Sequence, residues 1–293
     1  MIVVTTPAGQ IGRQVLDLIL DSGEPVRVIA RDPSRLSPHA RASAEIVQGS
    51  HGDADTVTKA FAGADRVFWL VPPDARHPGG TERHYLDFTR PACDAIKSQA
   101  VRQVVGVSTL GHGYRGKAGI LSAALAMDKL IEDTGVDYRA LAMPFFMENL
   151  LRQARAIKDQ GTFFLANPAD QPLPTAATRD VAFRAAALLL DRSWAGQASV
   201  PVVGPDNLTP VGMAQVMSDA LGLTVRFQQI PVAAYKAMML QHGASEAVAQ
   251  DMADAIGATS NGIYDTEPRD RHAAAPTSFR QWCQDVLRPA IQA

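Results

Sequence analysis

Only two cysteines occur in 293 residues, Cys93 and Cys283, far apart and outside any CxxC or Cys/His spacing. That placement argues against a disulfide framework and against a zinc site. Lysine and arginine number 28 against 30 acidic residues, a net charge of -2, and the absence of any basic stretch argues against nucleic acid as a partner. No apolar run approaches the ~18 residues of a membrane-spanning helix, and a strand-like run begins at Ile2, where a signal peptide would stand. The expectation is a cytoplasmic monomer or homodimer whose partner is a small-molecule substrate, with neither nucleic acid nor membrane. Internal repeats and low-complexity segments are also missing.

What is present is a 46% apolar chain with 20% charged residues, enough to bury a large core. In its N-terminal half, short β-branched runs alternate with helical patterns, the signature of βαβ units. The expected strands are "IVV", "VRVIA" (26 to 30), "AEIVQ" (44 to 48), "RVFWLV" (66 to 71), "QVVGVS" (103 to 108) and "DYRALA" (137 to 142). Most are apolar throughout, as strands covered on both faces must be. Between them "QIGRQVLDLILDSG" sets Ile11, Val15, Leu18 and Ile19 on one helical face and stops at Gly23, and "AGILSAALAMDKLIEDTG" repeats that logic up to Gly135. Beyond residue 150 the pattern loosens through "NPADQPLP", then resumes with a helix at "TRDVAFRAAALLLD", a strand at "ASVPVVG" and a helix from Thr209, a natural N-cap followed by Pro210. The expected architecture is a doubly wound parallel α/β sheet of Rossmann-like kind over residues 1–150. A smaller, helix-rich lobe spans 151–293, with some of its segments returning to the sheet.

Chemistry enters at "TTPAGQIG", directly after the first strand. In a dinucleotide fold this turn brings backbone amides and a helix N-terminus against a pyrophosphate, and its glycines allow close approach. The spacing T-x-x-G-x-x-G falls on Thr6, Gly9 and Gly12. Thr6 stands where the tight-turn glycine would be, so the turn is expected to form without positive φ there, guided by Pro7. Arg31 ends the second strand where an acidic residue would accept a ribose 2'-hydroxyl, and Arg35 follows four residues later. A guanidinium matches a 2'-phosphate, which points to NADP(H).

These residues resemble the NmrA-like group of atypical short-chain dehydrogenases, which includes quinone reductases, dye reductases and redox-sensing regulators. The resemblance runs along the chain through "TTPAGQIG", "VQGSHGDADTVTKAFAGAD", "DTGVDYRALAMPFFMENL", "TRDVA", "VVGPDNLTPVGMAQVMSDALG" and "PTSFRQW". It implies a cofactor path along Thr6, Ala8, Gly9, Gln10, Ile11 and Gly12, with Arg31 and Arg35 on the 2'-phosphate and Ser50, in place of the usual aspartate, beside the adenine. Val71 and Pro72 would follow the fourth strand along the cofactor. Ser108 and Thr109 would end the fifth strand beneath the nicotinamide, with Pro144 and Phe145 covering it. Tyr85, Phe145, Phe146 and Met127 are the candidate substrate contacts, and Trp69 shares the choice between cleft and core.

Conventional members of this superfamily use Tyr-x-x-x-Lys on the helix after the fifth strand, where the ammonium lowers the phenol pKa for proton exchange with a carbonyl. In register, Ile120 and Ala124 occupy those places, and Lys129 falls out of register. Ala142 stands where the family usually has arginine. Interconversion of ordinary alcohols and ketones is therefore disfavoured. Three readings stay open: a reductase of quinone-like or conjugated acceptors with His112 or Tyr114 as proton donor, a non-catalytic NADP(H) sensor, and a redox-neutral isomerase or cyclase on the same fold.

Overall fold

The apolar runs of the N-terminal half become strands because each is covered on both faces. The computed structural model describes residues 1–267 and 275–292. Strands β1 (Ile2–Val4), β2 (Val26–Ala30), β3 (Glu45–Gln48), β4 (Arg66–Trp69), β5 (Gln103–Thr109) and β6 (Asp137–Met143) match the six expected runs, β2 residue for residue. Shorter strands β7 (Phe145–Phe146), β8 (Thr162–Leu165) and β9 (Thr175–Ala176) precede β10 (Gln197–Pro201) and β11 (Arg226–Gln229). The helices are α1 (Gln10–Asp21), α2 (Pro38–Ser43), α3 (Ala54–Phe61), α4 (Gly80–Ser98), α5 (Ile120–Glu132) and α6 (Ala154–Gln160), then α7 (Thr178–Leu190), α8 (Pro210–Leu221), α9 (Val232–Gln241), α10 (Glu246–Ser260), α11 (Phe279–Trp282) and α12 (Arg288–Gln292).

Seven strands form one parallel sheet in the order β3-β2-β1-β4-β5-β6-β10. Strand alternation divides the core by face. Ile2, Val4, Val28, Phe68 and Val105 pack with Val15 and Ile19 of α1 and Val181 and Leu189 of α7. Val3, Ile29, Val67 and Trp69 pack on the other face with Phe61 of α3, Ile96 of α4 and Met127 and Ile131 of α5. Burial of each such large side chain stabilises the fold by ~1.5–3 kcal/mol. A third cluster, including Met147, Phe163, Met217 and Trp282, gathers mostly side chains from beyond residue 145, where β8 pairs with β11.

The order reverses at β1, whose neighbours are β2 and β4, and such a switch point opens a crevice at the carboxyl ends of the strands. Two segments from the second half of the chain belong to this sheet layer: β10 pairs with β6, and α7 packs on α1. Three distant sequence segments hold that junction. The Glu148 carboxylate accepts from the Thr178 amide at 3.1 Å, the Thr178 hydroxyl at 2.9 Å and the Trp282 indole at 3.3 Å. Asp180 accepts from the Thr277 hydroxyl at 2.7 Å and its amide at 3.1 Å. The segments "FMEN", "TRD" and "PTSFRQW" thus meet in space at the N-terminus of α7.

Candidate functional site

At the switch point the chain turns sharply from β1 into α1. Thr5 is buried, its hydroxyl donating to Phe68 O at 2.9 Å and accepting from Leu70 N at 3.1 Å, which ties the turn to β4. Thr6 has φ +50°. The expectation of a turn without positive φ is corrected: the threonine itself takes the left-handed conformation that glycine would supply, with its hydroxyl on Thr5 O at 2.8 Å. Gly9 N then donates to Thr6 O at 2.9 Å. A Cβ on Gly12 would lie 2.2 Å from Thr6 O, so only glycine lets α1 start this close to the turn. No side chain caps α1, whose N-cap is Gly9. The first-turn amides, among them those of Gln10, Ile11 and Gly12, have no intrahelical acceptor and form a positive end suited to phosphate oxygens. Ala8 is half-buried beside Gly9 and Gln10, both exposed.

Along the crevice, Arg31 directly follows β2 and is exposed, as is Arg35 in the short 3-10 turn Pro33–Arg35. Asp32 between them is turned to cap that turn, accepting from Ser34 N at 3.0 Å and Ser34 Oγ at 2.6 Å. Ser50 lies in the β3–α3 loop, next to the buried His51. Burial drives the His51 imidazole down to about 4, with the Arg31 charge pushing the same way, and its Nε2 bonds Leu70 O at 2.9 Å. His51 is therefore neutral at pH 7 and donates to Leu70. After β4, Val71 is buried and Pro72 half-buried, and His84 Nε2 holds Pro72 O at 2.8 Å. An open cleft of about 350 Å³ lined by Ser50, Gly52, Asp53, His77, His84, Asp87 and Phe88 extends this end of the crevice. A smaller hollow of about 70 Å³, lined by Asp65, Arg66, Arg102, Gln103 and Arg192, lies at the amino end of the sheet, away from the switch point.

A polar cluster that sequence reasoning missed sits below the end of β5. Ser108 Oγ donates to Asp128 Oδ2, and Tyr138 Oη donates to Asp128 Oδ1 at 2.6 Å. Asp128 is 1% exposed. Burial pushes its carboxyl up to about 6, against the hydrogen bonds from Ser108 and Tyr138. Gly106 makes this possible, since a Cβ there would stand 2.1 Å from Tyr138 Oη. His112 Nε2 lies 3.7 Å from Asp128 Oδ2, and its Nδ1 is 3.0 Å from Glu267 Oε1. The hydrogen bond to Glu267 raises the imidazole pKa. Burial pushes the Glu267 carboxyl up, but the His112 ring, the Gly111 and His112 amides and the Ser199 hydroxyl together hold it at about 2. The signal for Asp128 was present in the sequence: it lies four and eight residues beyond Ala124 and Ile120, on the helix face that packs inward, where a charge is out of place.

The remaining candidates divide. Thr109 is buried at the end of β5, its hydroxyl donating to Leu110 O at 3.0 Å. Pro144 is buried, and Phe145 and Phe146 are half-buried in β7 against β9. Their rings part, Phe145 packing toward the C-terminal lobe and Phe146 toward the α1–α7 layer. Tyr85 is half-buried on α4, where burial lifts its phenol to about 12. Met127, expected at the substrate, is instead fully buried among the core side chains between α5 and the sheet, because α5 turns that face inward. Trp69 is likewise core, its indole bonded to Thr89 Oγ1 at 3.3 Å. Tyr114 folds back over Gly116 and packs against the C-terminal lobe. Helix α5 begins at Ile120 and contains no tyrosine; Lys129 is exposed and paired with Asp133.

A family model described as NAD(P)H-binding matches residues 8–189. The chain is 32% identical over 244 residues to the (4-alkanoyl-5-oxo-2,5-dihydrofuran-3-yl)methyl phosphate reductase of Streptomyces griseus, covering 83% of this chain and 82% of that protein. It is 23% identical over 268 residues to quinone oxidoreductase 2 of Escherichia coli, covering 90% of each. Its fold matches the triphenylmethane reductase of Citrobacter sp., solved with NADP(H), at a TM-score of 0.80 and 18% identity, covering 99% of this chain and 100% of that one.

Proposed function

Because the chain belongs to the NAD(P)H-binding family, among the NmrA-like atypical short-chain oxidoreductases, we propose that it is an NADPH-dependent reductase of quinone-like or otherwise conjugated small molecules. The observation that carries this reading is the Thr6–Gly12 turn. It joins an uncapped helix N-terminus to a glycine-only contact at the switch point, with Arg31 at the end of the adjacent strand.

In this reading the amides of Gln10, Ile11 and Gly12 hold the pyrophosphate, with Thr6, Ala8 and Gly9 shaping the turn around it. Arg31, with Arg35, takes the 2'-phosphate, and Ser50 meets the adenine. Val71, Pro72, Ser108, Thr109, Pro144 and Phe145 border the nicotinamide, and Tyr85, Phe145 and Phe146 border the acceptor. The bound cofactor supplies a hydride. The protein's part is to orient two planar partners and exclude water, worth several kcal/mol for a well-aligned pair. Acceptors that tolerate hydride without a strong acid suit a helix α5 that carries Ile120 and Ala124 where tyrosine and lysine would stand. The relatives agree in kind, one being a reductase of an oxo-dihydrofuran phosphate and another a quinone oxidoreductase.

The test is a fluorescence titration with NADPH and NADH, followed by NADPH oxidation over a panel of quinones and triarylmethane dyes. Submicromolar to micromolar NADPH binding with turnover of at least one acceptor class is the expected result. Tight binding with no turnover would overturn the reductase and favour a sensor.

A further inference from the structure

Asp128 has no part in the cofactor path described above, yet it is almost fully buried, bonded on both oxygens and linked toward solvent. From one oxygen a hydrogen bond runs to Ser108 at the carboxyl end of β5. Beside that same oxygen, 3.7 Å away, stands the Nε2 of His112, whose side chain is 37% exposed. The other oxygen is held by Tyr138 Oη at 2.6 Å. We propose that Ser108, Asp128 and His112 form a proton path that carries a proton from solvent to the reduced acceptor at the end of β5. The proposal rests on the reductase reading for its destination but on this chain's own residues for its course.

A quinone that gains a hydride, two electrons and one proton, becomes a hydroquinone monoanion and needs one further proton on oxygen. For this step Asp128 carries its proton on Oδ2 and the Ser108 hydroxyl turns from Oδ2 toward the quinone; Ser108 Oγ–H gives its proton to the quinone oxygen while Oγ takes one from Asp128 Oδ2–H. Asp128 is then a carboxylate, regains a proton from the His112 imidazolium, and the imidazole recovers its own from water. No proton is created or lost, and the reductant is the dihydronicotinamide. Ser108 is the catalytic residue of this path; Asp128 and His112 act through it and position the charge.

The electrostatic surroundings raise both acids of the path, so that they can exchange a proton. Burial and the charge of Glu132 on the same helix raise the Asp128 carboxyl to about 6, so a minority of molecules carry its proton at pH 7 and most do below pH 6. His112 is raised by Glu267, Asp128 and Glu132, so it is readily recharged. Tyr138 on β6 is pushed well above its ordinary range by burial and by the charges of Asp128, Glu132 and Cys93 of α4, and stays a donor that never competes for the proton. Nδ1 of His112 is pinned by Glu267, itself fixed by two backbone amides and Ser199, which keeps Nε2 aimed at Asp128.

Two acceptors separate this path from a structural role. A quinone requires hydride and proton, whereas a cationic triarylmethane dye becomes a neutral leuco compound on hydride alone. Asp128→Asn and Ser108→Ala are expected to lower the ratio of quinone to dye turnover at least tenfold, the scale of general acid assistance. Equal losses on both acceptors would overturn the path.

A second measurement needs no cofactor. The infrared carbonyl band of the protonated Asp128 carboxyl, identified by its loss in Asp128→Asn, is followed against pH in the free protein. In His112→Gln its midpoint moves upward, since removing a nearby cation makes the carboxylate harder to form. An unmoved midpoint, with the variant folded by circular dichroism, would overturn the link between His112 and Asp128. If the unaltered protein oxidises NADPH with neither acceptor, the reductase reading has failed and with it the path's destination, while the infrared result still decides its course.

Discussion

The carbonyl oxygen of Thr6 occupies the space that a Cβ on residue 12 would need, at 2.2 Å from its ideal position. Backbone therefore meets backbone, and neither side can yield without moving α1 away from β1. Gly12→Ala is expected to cost about 1–3 kcal/mol of stability, the usual penalty of overpacking. It should also weaken NADPH binding at least tenfold, because the first-turn amides shift with the helix. Thermal denaturation and a fluorescence titration check both.

Thr6 carries the opposite prediction. Its φ of +50° costs a β-branched residue about 1–3 kcal/mol, offset by the hydroxyl bond to Thr5 O. Thr6→Gly removes the strain, loses that bond and adds about 0.5–1 kcal/mol of backbone entropy in the unfolded chain. The net expectation is a gain of about 0.5–1 kcal/mol with NADPH affinity retained or improved. A lower melting temperature would show that the threonine is relaxed there.

Arg31→Ala should weaken NADPH binding about 10- to 100-fold, the value of a charge-assisted hydrogen bond pair, and leave NADH affinity within about twofold. Equal losses for the two nucleotides would place the 2'-phosphate elsewhere.

The Glu267 carboxyl, held at about 2 against an ordinary 4.5, gives stability that depends on pH. A lowered folded pKa means the contribution is complete above 4.5 and disappears as pH falls through the range toward 2. Glu267→Gln is expected to cost about 1–3 kcal/mol in urea denaturation at pH 6. Its stability curve should converge with that of the unaltered protein near pH 2 to 3. Parallel curves across that range would mean that the carboxylate contributes packing and little charge.

Much of the fold was legible because sheet strands covered on both faces are written as unbroken apolar runs, which is why Val26 to Ala30 could be bounded to the residue. Strands β7 and β9 were not legible: two residues carry no periodicity, and Phe145 and Phe146 are paired only because the chain brings Thr175 back beside them. The turn's glycine pattern pointed to Gly9 and Gly12, but the conformation of Thr6 depends on Thr5 being locked to β4 through Phe68 and Leu70. The four-residue spacing from Ala124 put Asp128 on the inward face of α5, but "MDKLIE" also reads as the polar end of an amphipathic helix, and only the packing separates buried Asp128 from exposed Lys129. Glu148 was visible only as part of a motif; its partners Thr178 and Trp282 lie 30 and 134 residues away.

The return of α7 and β10 to the sheet has a practical consequence for anyone recombining this scaffold. A single splice near residue 150 would remove the helix that covers α1 and the strand that completes the β6 edge. It would also leave Glu148 facing an absent Thr178. New acceptor pockets would instead have to be exchanged as cassettes, with α6 to β8 and α8 to α10 replaced while the span from β9 through β10 stays with its parent. In this protein the unit of inheritance is a braid, and specificity can be re-dealt only between its crossings.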